Sequence, residues 1–129
     1  MKTLNKENIT GVAALLVHAA KIDEQYTSYE KKIIKSFINS YILNDDVDLI
    51  LNNAEELEKN SNQLLNFTSI IKKESDEIKS DIIRHLWKII ISDKSIDQYE
   101  SNLVRRICGL IYFSDKLSAE IKLQILDKE

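Results

Sequence analysis

The stretch Asp23-Glu24-Gln25-Tyr26-Thr27-Ser28-Tyr29-Glu30 decides how this chain is read, because Asp93-Lys94-Ser95-Ile96-Asp97-Gln98-Tyr99-Glu100 writes it a second time. Each copy has an Asp, an apolar residue three positions on and a Glu seven positions on, and Tyr29 and Tyr99 also fall in register. An apolar run at helical spacing lies on either side of each copy. On the first side Leu16, Ala19, Ala20 and Asp23 share one helix face, since positions i, i+3, i+4 and i+7 line up. Beyond the turn, Glu30 opens the face carried on by Ile33, Ile34 and Phe37. Asp93 continues the face of Leu86, Ile89 and Ile90 in the same way, and Glu100 opens the next one. Two helix–turn–helix units with acids at their inner corners are therefore expected.

Working outward, the periodicity predicts helices over about 5–22, 28–42, 45–58, 62–73, 75–92, 98–113 and 116–128. The strongest stripes are Val12, Leu16, Ala19 and Ala20; Ile33, Ile34, Phe37, Ile38 and Tyr41; Ile78, Ile82, Leu86, Ile89 and Ile90; and Leu103, Val104, Ile107, Leu110 and Ile111. Proline is absent and glycine occurs only at Gly11 and Gly109. No Asn-Gly or Asp-Gly hairpin signal is present. The fold expected is all-α: one domain over 1–129, a bundle of about seven helices, with repeat halves at about 10–42 and 75–113. A chain of 129 residues buries about 68% of its unfolded surface, enough for a cooperative core.

Charge and composition exclude several classes. The net charge is −3 and the basic residues are scattered among acids, which is no footprint for nucleic acid. The longest apolar run, residues 12–17, is far too short to cross a bilayer. Residues 1–10 lack the cationic-then-apolar layout of a signal peptide, so a soluble cytoplasmic chain is expected. Cys108 stands alone between apolar neighbours and reads as a small core side chain rather than a nucleophile. His18 and His85 have no acid three positions away on an inward face, so they read as packing or half-exposed histidines.

The duplicated turn has two physical readings. Asp at a helix C-terminus opposes the macrodipole, and two nearby carboxylates repel, so something must relieve them. One answer is structural: Thr27 with Glu30, and Asp97 with Glu100, have the spacing of capping boxes, while Asp23 and Asp93 suit Asx turns. Ion pairs with Arg84, Arg105 or Arg106 would serve similarly. The other answer is a cation held by oxygen ligands, which suits Ca²⁺, Mg²⁺ or Mn²⁺ rather than zinc. The spacing is not that of an EF-hand loop, which has a glycine at its sixth position.

Other acids read as solvated. Asp45, Asp46 and Asp48 read as the acidic first turn of the third helix, capped by Asn44. Glu55, Glu56 and Glu58 read as a water-facing side. Glu74 and Glu77, with Asp97 and Glu100, loosely match the paired acids of all-α nucleotide pyrophosphohydrolases, the alternative enzyme reading, although Glu74 and Glu77 fall off the apolar stripe. The tyrosines, with Trp87 and Phe113, are expected to fill gaps near the turns. An exposed patch around Tyr29 and Tyr99 would instead mark a partner site.

These residues resemble the tellurite-resistance TerB-like family, whose repeated turn reads Ala-x-x-Asp-Gly-x-[Ile/Val]-x-x-x-Glu. His18-Ala19-Ala20-Lys21-Ile22-Asp23 through Glu30 matches the first copy. The pair Leu86-Trp87, with Asp93, Ile96 and Glu100, matches the second. The resemblance covers about 10–115. It implies a seven-helix cytoplasmic protein without catalysis, serving as an interaction module in a stress response of the tellurite-resistance type. Its partners would be proteins, an integral membrane protein among them, met at the inner face of the membrane without insertion. It further implies a divalent cation at the acidic turns, with Asp23, Glu30, Asp93 and Glu100 as the metal residues, to which this chain's own Glu24 adds a candidate. The chain departs from the family where Glu24 and Lys94 replace the Gly after each Asp. Lys94 sets a positive charge beside Asp93, whereas Glu24 adds a carboxylate beside Asp23, so the first copy is the better cation site.

Overall fold

A computed structural model describes residues 6–22, 26–42, 46–61, 65–92 and 98–127, without the side chains at 6, 65, 66 and 98–100. Among these residues the regular structure is all helix: α1 (Lys6–Ala20), α2 (Ser28–Asn39), α3 (Val47–Lys59), α4 (Leu65–Ile71), α5 (Asp76–Ile91), α6 (Gln98–Ile111) and α7 (Asp115–Asp127). All seven expected helices are present, and each end lies within a few residues of its expected place.

The apolar pattern decides which helices are central. In α1 every residue from 11 to 17 is buried, so the expected stripe is in fact a whole circumference. A helix apolar on all sides needs neighbours on all sides, and α2, α3, α4 and α5 pack around α1. Gly11 faces α4: a Cβ there would lie 2.5 Å from Ile70 Cδ1 of that helix. The second central helix is α5, with Ile82, Ile83, Leu86, Trp87, Ile89, Ile90 and Ile91 all buried. It packs against α1, α2, α6 and α7. Each large side chain withdrawn from water stabilises by about 1.5–3 kcal/mol, so these two helices hold the bundle together.

Helix ends follow local chemistry. Ser75 starts α5 by accepting the Ile78 N–H at 3.3 Å. Ser114 starts α7 by accepting from Lys116 N–H at 3.1 Å and Leu117 N–H at 3.3 Å. At the end of α6, Tyr112 takes a left-handed φ of 59° and Phe113 N–H donates to Cys108 O at 2.8 Å. That is a Schellman stop built without glycine. At α3 the cap differs from expectation: Asp46 holds the position without a side-chain capping bond. Asp48 in the first turn pairs with Lys35 at 3.1 Å, while Asn44 and Asp45 lie outside the described residues. Between α5 and α7, Trp87 Nε1–H donates to Ser118 Oγ at 2.9 Å inside the core.

Candidate functional site

The corner between α1 and α2 is built from its helix ends. α1 closes as Lys21 N–H donates to Val17 O at 3.0 Å and to His18 O at 3.2 Å. α2 opens at Thr27, whose Oγ1 accepts the Glu30 N–H at 3.1 Å while Thr27 N–H donates to Glu30 Oε1 at 2.8 Å. The capping box expected from Thr27 and Glu30 is therefore formed, and Glu30 is only 4% exposed. A carboxylate that far from water would normally be costly; the backbone amide offsets part of that cost.

A third helix completes the corner. Glu55 of α3 accepts from Tyr26 Oη–H at 2.7 Å, and Lys31 Nζ lies 3.7 Å from the same oxygen, Oε2. Lys31 Nζ also stands 5.0 Å over the Tyr26 ring. One turn on, Glu58 Oε1 accepts from Lys21 Nζ at 2.9 Å, and Glu58 Oε2 lies 3.3 Å from His18 Nδ1. Burial pushes the Tyr26 phenol well above its ordinary value; the hydrogen bond to Glu55 and then the charges of Glu55, Glu30 and Glu58 push it further. Tyr26 thus stands where the negative charges of acids on two helices converge, answered by the cations Lys21 and Lys31, with the His18 ring beside Glu58.

This overturns the reading of Glu55 and Glu58 as water-facing; of that run Glu56 is the exposed one. The missed signal was a stripe: Leu51, Ala54, Glu55 and Glu58 share a face, and Leu51 and Ala54 are buried. Of the residues expected to hold metal, Glu30 is the one whose side chain is described. Asp23, Glu24 and Asp93 lie outside the described residues, and so does the side chain of Glu100. The Asp97–Glu100 box lies outside them too. Among the described residues, no group of three or more His, Cys, Asp or Glu side chains is arranged to hold a metal ion. The described corner acids are met by an amide, a phenol and protein cations.

The other expectations divide. Arg84 pairs with no described acid; its Nη1–H donates to Gln124 Oε1 at 3.3 Å, and Arg105 and Arg106 are exposed. His85 is packed, its ring 5.1 Å from that of Phe37 and its Nδ1 2.8 Å from Asp81 O. His18 is half-buried and Cys108 is buried, as read. Glu77 faces water, while Glu74 is half-buried. Trp87 and Phe113 fill the core, and Tyr41, whose Oη–H donates to Asp81 Oδ2 at 2.7 Å, is part-buried. Tyr29 and Tyr112, in contrast, stand exposed on the surface, because α2 and the end of α6 turn those positions outward.

A comparison with protein families matches residues 10–123 to the family described as tellurite resistance protein TerB. A crystal structure of a protein of unknown function from Porphyromonas gingivalis W83 superposes with a TM-score of 0.69 at 21% identity, over 94% of this chain and 96% of that one. At that identity the likeness is one of fold. A comparison with curated protein sequences finds no match. Among the described residues, no helix is long and apolar enough to cross a membrane.

Proposed function

Because the chain belongs to the tellurite-resistance TerB family, we propose that it is a non-enzymatic interaction module of a stress response, with a divalent cation site at the α1–α2 corner. The observation that supports this is the buried carboxylate of Glu30, fixed by its capping box beside Tyr26, on which the charges of Glu55, Glu30 and Glu58 converge. Asp23 and Glu24 would supply the further ligands. Glu55 and Glu58 stay with Tyr26, Lys31, Lys21 and His18 and contribute field rather than bonds. An all-oxygen donor set of this kind suits Ca²⁺, Mg²⁺ or Mn²⁺. When bound, such an ion supplies positive charge that ties the start of α2 to the end of α1. The corner would then present a charge-dependent surface to a protein partner, a membrane-embedded one included, met from the cytoplasmic side.

Calorimetric titration with Ca²⁺, Mg²⁺ and Mn²⁺ tests the site. Saturable binding by the native chain is expected, weakened at least tenfold in Asp23→Asn, whose circular dichroism should stay helical. Silence at millimolar ion, or equal affinity in the variant, overturns it. Pull-downs from membrane and cytosolic fractions with both forms test the partner role; capture indifferent to the substitution would separate partner binding from the corner.

A further inference from the structure

A groove of about 410 Å³ runs between α2, α5 and α7 and shares no lining residue with the acidic corner. Its size lies within the range of small-molecule pockets, about 300–1,000 Å³. The charges along it are of one sign. Lys32 from α2 and Arg84 and Lys88 from α5 line it, and no Asp or Glu does. Among the described residues none of these three cations has an ion pair with an acid. In a chain of net charge −3 that concentration runs against the average. Arg84 and Lys88 are four positions apart on α5 and so lie on one face. The Arg84 guanidinium is steadied across the α5–α7 seam by its bond to Gln124 Oε1.

Ser36 and Gln124 are the uncharged polar residues of the lining, and the rest is apolar or aromatic. Ile33 and Ile125 border the groove from α2 and α7, and Tyr29, 58% exposed, belongs to the same lining. His85 adds the edge of a ring held by Asp81 and Phe37. Such a lining suits an occupant that carries more negative charge than one carboxylate and also offers an apolar, flat body. A phosphate ester on a ring system meets both needs: two or more negative charges for the lysines and arginine, and a planar face for Tyr29.

We propose that this groove binds a planar organic phosphate of nucleotide size. It goes beyond the cation site and stands apart from it, since neither Asp23 nor Glu30 takes part.

The test is a ¹⁵N–¹H NMR titration of the full chain with AMP, phenyl phosphate, inorganic phosphate and adenosine, run at low salt. Saturable shifts at Tyr29, Ile33, Lys88 and Ile125 are expected with AMP and phenyl phosphate, fading as salt screens the charges. If AMP binds at least tenfold more tightly than phenyl phosphate, the ligand is a nucleotide; comparable affinities leave the wider class of ring phosphates. Adenosine should leave the groove unmoved, and inorganic phosphate should bind at least tenfold more weakly than AMP. The double variant Lys32→Ala, Lys88→Ala, both positions exposed, should lose at least tenfold in affinity with unchanged circular dichroism. No saturable shift, shifts centred elsewhere, equal response to adenosine or inorganic phosphate, or undiminished binding by the double variant would each overturn the proposal. None of these outcomes touches the ion titrations of Asp23→Asn.

Discussion

Ser118 shows how much one hydroxyl carries in this bundle. At 4% exposure it accepts from Trp87 Nε1–H at 2.9 Å and also meets the Cys108 thiol, which burial pushes up and this hydrogen bond partly brings back. Removing the hydroxyl strands a buried indole N–H, so Ser118→Ala should lower stability by about 1–3 kcal/mol in urea denaturation. A change near zero would mean that Trp87 finds another acceptor. Tyr26 and Tyr41 make a second residue-scale prediction. Burial first, and then the bonds to Glu55 and Asp81, raise both phenols far above their ordinary value of 10.0. A folded-state pKa above the unfolded one gives stability that is complete below pH ~10 and is lost as pH rises through the folded value. Denaturant midpoints should therefore hold up to about pH 10 and fall as pH rises beyond it. Tyr26→Phe with Tyr41→Phe should flatten that fall while costing about 1 kcal/mol per lost bond at pH 8. An unchanged slope in the double variant would remove these phenols as its cause.

At the scale of single helices, the two glycines separate fold from tolerance. Nothing lies within 4 Å of a Cβ built at Gly109, so Gly109→Ala on the exposed side of α6 should raise stability by about 1 kcal/mol. The same change at Gly11 drives a methyl to 2.5 Å from Ile70 Cδ1, and its propensity gain should be offset. Thermal melts of the two variants test the contrast; equal gains would mean that the end of the Ile70 side chain yields at no cost. The helices themselves were readable because period and breaker content agree along the chain. The all-round burial of α1 was less so, since a stripe and a full apolar circumference differ only by the unbroken run at 12–17. The end of α6 carries no glycine at its left-handed position; Tyr112 stands there, so the usual stop signal is missing. Thr27 with Glu30 was legible because a capping box is local, spanning three positions. Glu55 and Glu58 were not, because their partners Tyr26, His18 and Lys21 lie 29 to 40 positions away and meet them only through packing.

Across the whole molecule, charge is sorted by place. Acids of α2 and α3 gather where α1 ends, while cations of α2 and α5 line the groove beside α7. Helix α2 joins the two regions, with Glu30 buried at its start and Lys32 exposed two residues on. Membership of the TerB family and the seven-helix bundle account for the scaffold; the proposed binding sites rest on these charges. Paramagnetic Mn²⁺ added in small steps to the ¹⁵N-labelled chain tests the cation reading most directly. Amide signals of Tyr26, Thr27, Glu30, Glu55 and Glu58 should broaden first, and Asp23→Asn should restore them. Broadening that begins instead at the exposed acids Asp76 or Asp115, or that leaves the α1–α2 corner sharp, would contradict the account.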